Sequence, residues 1–301
     1  MQGIILLSKP KGITSFAAVA AVRRLCKTKR VGHTGTLDPL AEGVLPILVG
    51  RATALSSYIT EEGKSYIARV RLGITTDTED ITGEVLKERP VNVTENELLS
   101  AVSSFLGESD QIPPMYSAIK RDGQRLYSLA RQGIEVEREP RKIFIEKIEV
   151  SDFDGREFNL SVTCSKGTYI RSLCRDIGEK LGCGATMTEL LRTCTAGFPI
   201  EKAVPLDKLT PENVKEYLLP ADSAFPHLRY INVTEKQAVR FSNGGELDAS
   251  RTALKPKTDG ELVRVKFGDV LLGLGRVDLE SGSIKISCVI NDKDGSDSRE
   301  Q

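Results

Sequence analysis

One carboxylate stands out by its surroundings. Asp38 sits in the run Gly32-His33-Thr34-Gly35-Thr36-Leu37-Asp38-Pro39-Leu40-Ala41-Glu42-Gly43-Val44-Leu45-Pro46, with one of the chain's two histidines. Gly32, Gly35 and Gly43 open backbone conformations closed to other residues. Pro39 fixes its own φ and pushes Asp38 toward an extended conformation. The pattern predicts a stiff, irregular loop that presents one acid in a fixed pose. Asp beside Gly and Pro most often closes a turn or caps a helix. The chemical alternative is a carboxylate held in place to act in catalysis.

Four further segments carry polar or aromatic residues in tight motifs. They are Lys9-Pro10-Lys11-Gly12-Ile13-Thr14-Ser15, Lys64-Ser65-Tyr66, Pro113-Pro114-Met115-Tyr116-Ser117-Ala118-Ile119-Lys120 and Ser165-Lys166-Gly167-Thr168-Tyr169-Ile170-Arg171-Ser172-Leu173. Trp is absent and aromatics are few, which gives weight to each Tyr in a polar motif. Tyr116 and Tyr127, amid Lys120, Arg121 and Arg125, suit stacking on RNA bases, with core packing as the competing role. The planar fork of Arg171 suits a bidentate grip on a carboxylate. By itself it reads rather as a structural ion pair on a helix.

The elements that would hold these residues follow from periodicity and punctuation. Gly3–Ser8 reads as a buried strand ending in a turn, and Thr14 or Ser15 can cap a helix with Phe16, Val19, Val22 and Leu25 at helical spacing. Residues 53–60 suit a second helix. Lys64–Leu72 alternates as a strand, with Tyr66, Ala68, Val70 and Leu72 on one face. Thr75–Asp80 reads as an acidic loop, and Thr94–Leu106 as a helix opened by a Thr94/Glu97 capping box. Ile143–Val150 and Phe158–Cys164 suit strands, and Tyr169–Leu181 a helix. From about Arg229 a short helix, Val233–Phe241, precedes a small β-rich module up to about Ile290.

The chain has 301 residues, enough for one large domain or two, and zero formal net charge. Charge is nevertheless uneven: residues 1–71 hold eleven Lys or Arg against four acids. Such a face can hold a phosphate backbone, although an ordinary solvated surface is the simpler account. None of the six cysteines forms a Cys-x-x-Cys pair, so neither structural zinc nor another metal is expected. With no signal peptide and no apolar run of membrane length, a cytoplasmic protein with reduced thiols is expected.

These motifs, in this order, resemble the TruB-type tRNA pseudouridine synthases. The Asp38 run resembles that family's Gly-His-x-Gly-x-Leu-Asp-Pro-x-Ala-x-Gly loop, and the likeness covers roughly residues 3–200. It implies an α+β pseudouridine synthase fold: a mixed, largely antiparallel central sheet flanked by helices, over residues 1–225. An RNA-gripping insertion would occupy about 111–142. Residues 229–290 more weakly resemble a PUA domain, a small RNA-binding pseudo-barrel, and 291–301 are expected to be a disordered tail.

The implied activity is isomerisation of uridine to pseudouridine at position 55 in the T-loop of tRNA. Such an isomerisation needs no cofactor or metal. The resemblance makes Asp38 the catalytic carboxylate and Arg171 the cation that keeps it ionised. Tyr66 would stack on the uracil and take or relay the C5 proton, and Tyr169 would line the pocket. His33 would fill the space left by a flipped nucleotide, with a general-acid role as runner-up. Lys9 and Lys64 would serve phosphate contacts or loop support, Leu190 and Tyr116 substrate binding. Lys166, Arg175 and Arg192 are read as surface or RNA-face charges.

The expected partner is the T-arm of tRNA, met by a monomer without obligatory protein partner, guide RNA or membrane. Three other functions compete: a guide-RNA-dependent relative, a non-enzymatic RNA-binding or RNA-folding protein, and a carbohydrate-active hydrolase. The last lacks an obvious second carboxylate and leaves the basic faces unexplained.

Overall fold

A computed structural model describes residues 1–61, 63–121, 123–253 and 258–290. The tail expected at 291–301 lies outside the described residues. The architecture is the α+β arrangement that the resemblance implied. A large sheet of 11 strands runs Val204–Pro205, Gly3–Lys9, Glu42–Val49, Ala185–Thr195, Lys64–Leu72, Glu157–Cys164, Arg141–Ser151, Gly107–Gln111 along its main path. Most neighbours are antiparallel. Glu42–Val49 and Ala185–Thr195 are parallel, and they meet only through Leu191–Glu42 and Arg192–Gly43. That short contact is a seam between two half-sheets. Of the three glycines around Asp38, only Gly43 takes a positive φ (115°), and a Cβ there would collide with the Arg192 backbone. Glycine is therefore required where the half-sheets join.

The Lys64–Leu72 strand alternates as its sequence predicts, burying Tyr66, Ala68, Val70 and Leu72. Gly3–Lys9 and Glu42–Val49 behave differently, because both of their faces are covered. Ile5, Leu7, Leu45, Ile47 and Val49 join the main core beneath the helix Ser15–Cys26. Ile4, Leu6, Val44 and Leu48 join a second core with Leu271, Leu274, Cys288 and Ile290 of the C-terminal unit. Uninterrupted apolar runs are what two-sided burial requires.

The C-terminal unit is a five-stranded half-barrel in the order Tyr230–Asn232, Leu262–Phe267, Val270–Asp278, Ser283–Val289, Leu247–Asp248. The helix Glu235–Ser242 packs on it through Ala238 and Phe241. Besides the shared core, the Tyr58 hydroxyl donates to Ser287 O at 2.9 Å and Lys266 Nζ pairs with Asp222 at 2.9 Å. Among the described residues no helix is long and apolar enough to cross a membrane.

Candidate active site

The Asp38 loop is held from both sides by the turn that follows the first strand. Gly12 N donates to Pro39 O at 2.7 Å. Thr14 is the helix N-cap, its hydroxyl accepting from Ala17 N at 3.0 Å. That leaves the Ser15 hydroxyl to accept from Leu37 N at 2.8 Å and donate to Leu37 O at 3.0 Å. Lys9 is fully buried, and its ammonium donates to Pro10 O (2.9 Å) and Ile13 O (2.8 Å). Of the two roles the sequence left open for Lys9, burial removes phosphate contact and leaves support of this turn. Lys64 is likewise buried, with Nζ donating to Thr60 O at 3.3 Å.

Arg171 brings three segments to the carboxylate. It lies in the first turn of the helix Ile170–Lys180 and is buried. Nε pairs with Asp38 Oδ2 at 2.9 Å, Nη1 donates to Thr78 O at 2.9 Å, and Nη2 donates to Tyr116 O at 2.8 Å. Asp80 stands 3.9 Å from Nη1. One guanidinium thus fastens the Asp38 loop, the acidic 77–80 loop and the 113–118 segment. Asp38 keeps 35% of its side-chain surface open to solvent, so a ligand can reach it. Burial pushes its carboxyl above the usual carboxylate range; Arg171 opposes that push, and Asp80 adds to it.

Tyr66 and Tyr169 both lie close enough to Asp38 to feel its charge. Tyr66 is buried, and burial raises its phenol above the ordinary value. The fields of Arg192 and Asp38 both reach it. Tyr169 is the residue before the helix, fixed by a two-way clamp with Gln111: its N donates to Gln111 Oε1 at 2.8 Å, and Gln111 Nε2 donates to its O at 3.0 Å. Its phenol is raised by burial and feels Arg171 and Asp38. His33 ends a short strand, its Nδ1 accepting from Gly35 N at 3.2 Å. Burial and Arg192 lower its pKa, so the ring is neutral at neutral pH, which suits a stacking ring better than a proton donor. Leu190 is buried in the main core beside Ala68. Tyr116 is half-buried, its hydroxyl donating to Asp77 Oδ2 at 3.2 Å. Tyr127 lies in the short helix Leu126–Ala130, flanked by Arg125 and Arg131.

Two assignments made from sequence change. Arg192 is not a surface charge: it is 1% exposed, Nε donates to Val44 O at 2.8 Å, and Nη2 donates to Gly35 O at 3.2 Å. Arg175 is largely buried and pairs with Glu79 and Asp176. The sequence also gave no weight to Thr78 or Asp80, which Arg171 engages; its one hint was a dense acidic loop. Lys166 remains on the surface, paired with Glu61.

Most of the chain aligns with proteins of known family. Residues 23–170 match the profile of the TruB family pseudouridylate synthase (N terminal domain), and residues 171–226 match the tRNA pseudouridylate synthase B C-terminal domain. The chain is 47% identical to the tRNA pseudouridine synthase B of Clostridium tetani (strain Massachusetts / E88), over 92% of this chain and 96% of that one. It is 44% identical to the tRNA pseudouridine synthase B of Azoarcus sp. (strain BH72), over 95% and 93%. Among solved structures it resembles a chain of an H/ACA RNP bound to a substrate RNA containing 2'-deoxyuridine (TM-score 0.74, 25% identity, covering 97% of this chain and 86% of that one). A chain of an archaeal box H/ACA sRNP Nop10-Cbf5 complex is similar at TM-score 0.73, with 26% identity over 97% and 87%.

Proposed function

The chain belongs to the TruB family of pseudouridylate synthases, and on that premise we propose that it converts uridine to pseudouridine in tRNA, at position 55 of the T-loop. The observation that carries this is the partly open Asp38 carboxylate, gripped at 2.9 Å by a buried Arg171, with Tyr66 and Tyr169 close enough to feel its charge. In the proposed reaction the ribose C1′–N1 bond breaks, the base turns in the pocket, and C1′ rejoins at C5. The C5 proton leaves and N1 is protonated, with no net redox change. Ionised Asp38 adds to the base or the sugar, or stabilises charge at C1′. Arg171 opposes the burial that would neutralise it.

Substrate would enter as a base taken out of its stack, at a cost of a few kcal/mol. His33 is the neutral, flat group that would occupy the vacated space. Residues 1–225 would form the catalytic unit and 229–290 an accessory RNA-binding unit, in a cytoplasmic monomer working on free tRNA. The similar solved chains come from H/ACA ribonucleoprotein complexes, which keeps a partner-dependent activity as the competing function. Tritium release from a tRNA transcript labelled at uridine C5 separates the two. Wild type alone is expected to release one equivalent without guide RNA or metal, and Asp38→Asn none. Release only with guide and partner proteins, or wild-type turnover by Asp38→Asn, would overturn the proposal.

A further inference from the structure

Glu79 combines a backbone conformation and a burial that glutamate rarely shows together. Its φ is 63°, in the left-handed region that favours glycine, and the residue is 7% exposed. Among the described non-glycine residues with positive φ, it alone buries a charge. Ser172 Oγ donates to its Oε2 at 2.6 Å, and Arg175 Nη1 pairs with its Oε1. Both partners stand on the helix Ile170–Lys180, one and four residues after Arg171. The helix thus reaches the 77–80 loop through Arg171 on Thr78 O (2.9 Å) and through Ser172 and Arg175 on Glu79. Arg175 does not need Glu79 for its own sake. It is 24% exposed, Nε and Nη2 donate to Asp176 Oδ1 at 2.8 and 2.7 Å, and Nη2 also donates to Ile112 O at 3.2 Å. The costly member of the pair is the carboxylate, buried where a glycine would fit the backbone without strain. Backbone outliers of this kind persist only when their surroundings hold them.

We propose that Glu79 is a positioning residue: anchored to the helix, it sets the Thr78–Glu79 peptide so that Thr78 O meets Arg171 and the guanidinium stays aimed at Asp38. This rests on the function proposed above. The φ of Glu79 is the rotation that relates its side chain to the preceding peptide. Fixing the carboxylate and φ together therefore fixes the direction of Thr78 O. The main chain closes the frame, with Glu79 N donating to Thr76 O at 3.2 Å and Met187 N donating to Glu79 O at 3.3 Å. Arg171 bonds Thr78 O through Nη1 and Asp38 Oδ2 through Nε, both at 2.9 Å. Its fork is planar and rigid, so a displaced Thr78 O turns Nε away from the carboxylate. The charge of Glu79 is already matched by Arg175; what it passes to Arg171 is position.

Two substitutions separate reach from charge. Glu79→Gln keeps the length of the side chain and can still bond Arg175 and Ser172. Glu79→Asp keeps the charge and tolerates a positive φ, but is one carbon too short to span both partners. Single-turnover tritium release and tRNA affinity are measured for both, in the wild-type background and in Arg171→Lys. Glu79→Gln is expected within about threefold of the wild-type rate. Glu79→Asp is expected about 30-fold slower, part of the roughly 100-fold that a 1 Å misplacement costs. In Arg171→Lys, where the fork is gone, Glu79→Asp is expected to cost no more than about threefold, with tRNA affinity within about threefold throughout. A slow Glu79→Gln would make charge the working property and overturn the proposal. A wild-type rate in Glu79→Asp, or effects of Glu79→Asp and Arg171→Lys that multiply, would overturn it too.

Ser172→Ala decides alone should Glu79→Asp not fold. It leaves Glu79 and its charge in place and removes only the 2.6 Å hydrogen bond. Release about fivefold slower at unchanged tRNA affinity is expected, the rate equivalent of one ordinary hydrogen bond; a wild-type rate would overturn the proposal. Every variant keeps Asp38 and is read against an active wild type. Failure here is therefore distinguishable from turnover by Asp38→Asn, which would remove the active site itself.

Discussion

Replacing Arg171 by lysine separates the charge of that residue from its shape. Lysine keeps the cation beside Asp38 but is a point donor on a flexible stem, whereas the arginine holds Asp38 Oδ2 at 2.9 Å, Thr78 O at 2.9 Å and Tyr116 O at 2.8 Å at once. If the ammonium stays with the carboxylate, two partly buried carbonyls lose their donors. Hydrogen bonds to a charged group are worth roughly 1.5–3 kcal/mol each. A stability loss of about 3 kcal/mol is therefore expected in Arg171→Lys, the low end of two such bonds. The 77–80 and 113–118 segments would shift against Asp38, and a displacement near 1 Å costs about 100-fold in rate. Because the charge remains, the acid limb of the pH–rate profile should stay in place. Arg171→Ala removes the charge as well, so its acid limb should move to higher pH. The assay is single-turnover tritium release across pH, with denaturant unfolding on the same samples. Arg171→Lys turning over within about threefold of wild type at unchanged stability would show that charge alone suffices and refute the stapling argument.

Asp38, whose carboxyl burial holds above its ordinary 3.8, must be ionised to act, so kcat should fall as pH drops through a midpoint higher than that value. The stability sign is opposite: a raised folded pKa means that ionisation of Asp38 weakens the fold as pH rises, so Asp38→Asn should melt at or above the wild-type temperature at pH near 7.5. Lys9, lowered by burial from 10.5 to about 8, binds fewer protons folded than unfolded between those values. Stability of wild type relative to Lys9→Met, followed by urea unfolding, should therefore rise from pH 8 to pH 10.5, by up to about 3 kcal/mol; a flat difference would contradict the burial of a charged Lys9. Gly43→Ala puts a Cβ into the Arg192 backbone at a positive φ. It should cost about 4 kcal/mol or more, read by thermal unfolding, and a near-native melting temperature would refute the seam geometry.

How much could be read from sequence depended on whether a segment has one environment or two. Lys64–Leu72 faces a core on one side only, and its alternation exposed it as a strand. Glu42–Val49 lies between two cores, so it reads as an undivided apolar run attached to the Asp38 loop. Ala185–Thr195 carries two register shifts, between Met187 and Glu189 and between Arg192 and Cys194, which break its period. The same limit applies to charge. Arg171 follows a recognisable Tyr-Ile-Arg motif, but Arg192 looks like any exposed arginine. Its burial depends on carbonyls of Val44 and Gly35, far away along the chain. Asp80 was invisible for a similar reason: its importance comes from the helix that packs over its loop.

The second core has a mechanical consequence. Ile4, Leu6, Val44 and Leu48 belong to the same strands that lead into the Asp38 loop, yet their side chains are packed with Leu271, Leu274, Cys288 and Ile290 of the C-terminal half-barrel. A unit joined by a tether samples many distances, whereas one welded through a continuous apolar interior keeps a single distance. The half-barrel and the carboxylate therefore act like the two jaws of a fixed gauge. Under the proposed function, an RNA that touched both would have to present its target base at the matching separation, so the joint would measure the substrate before any base was read.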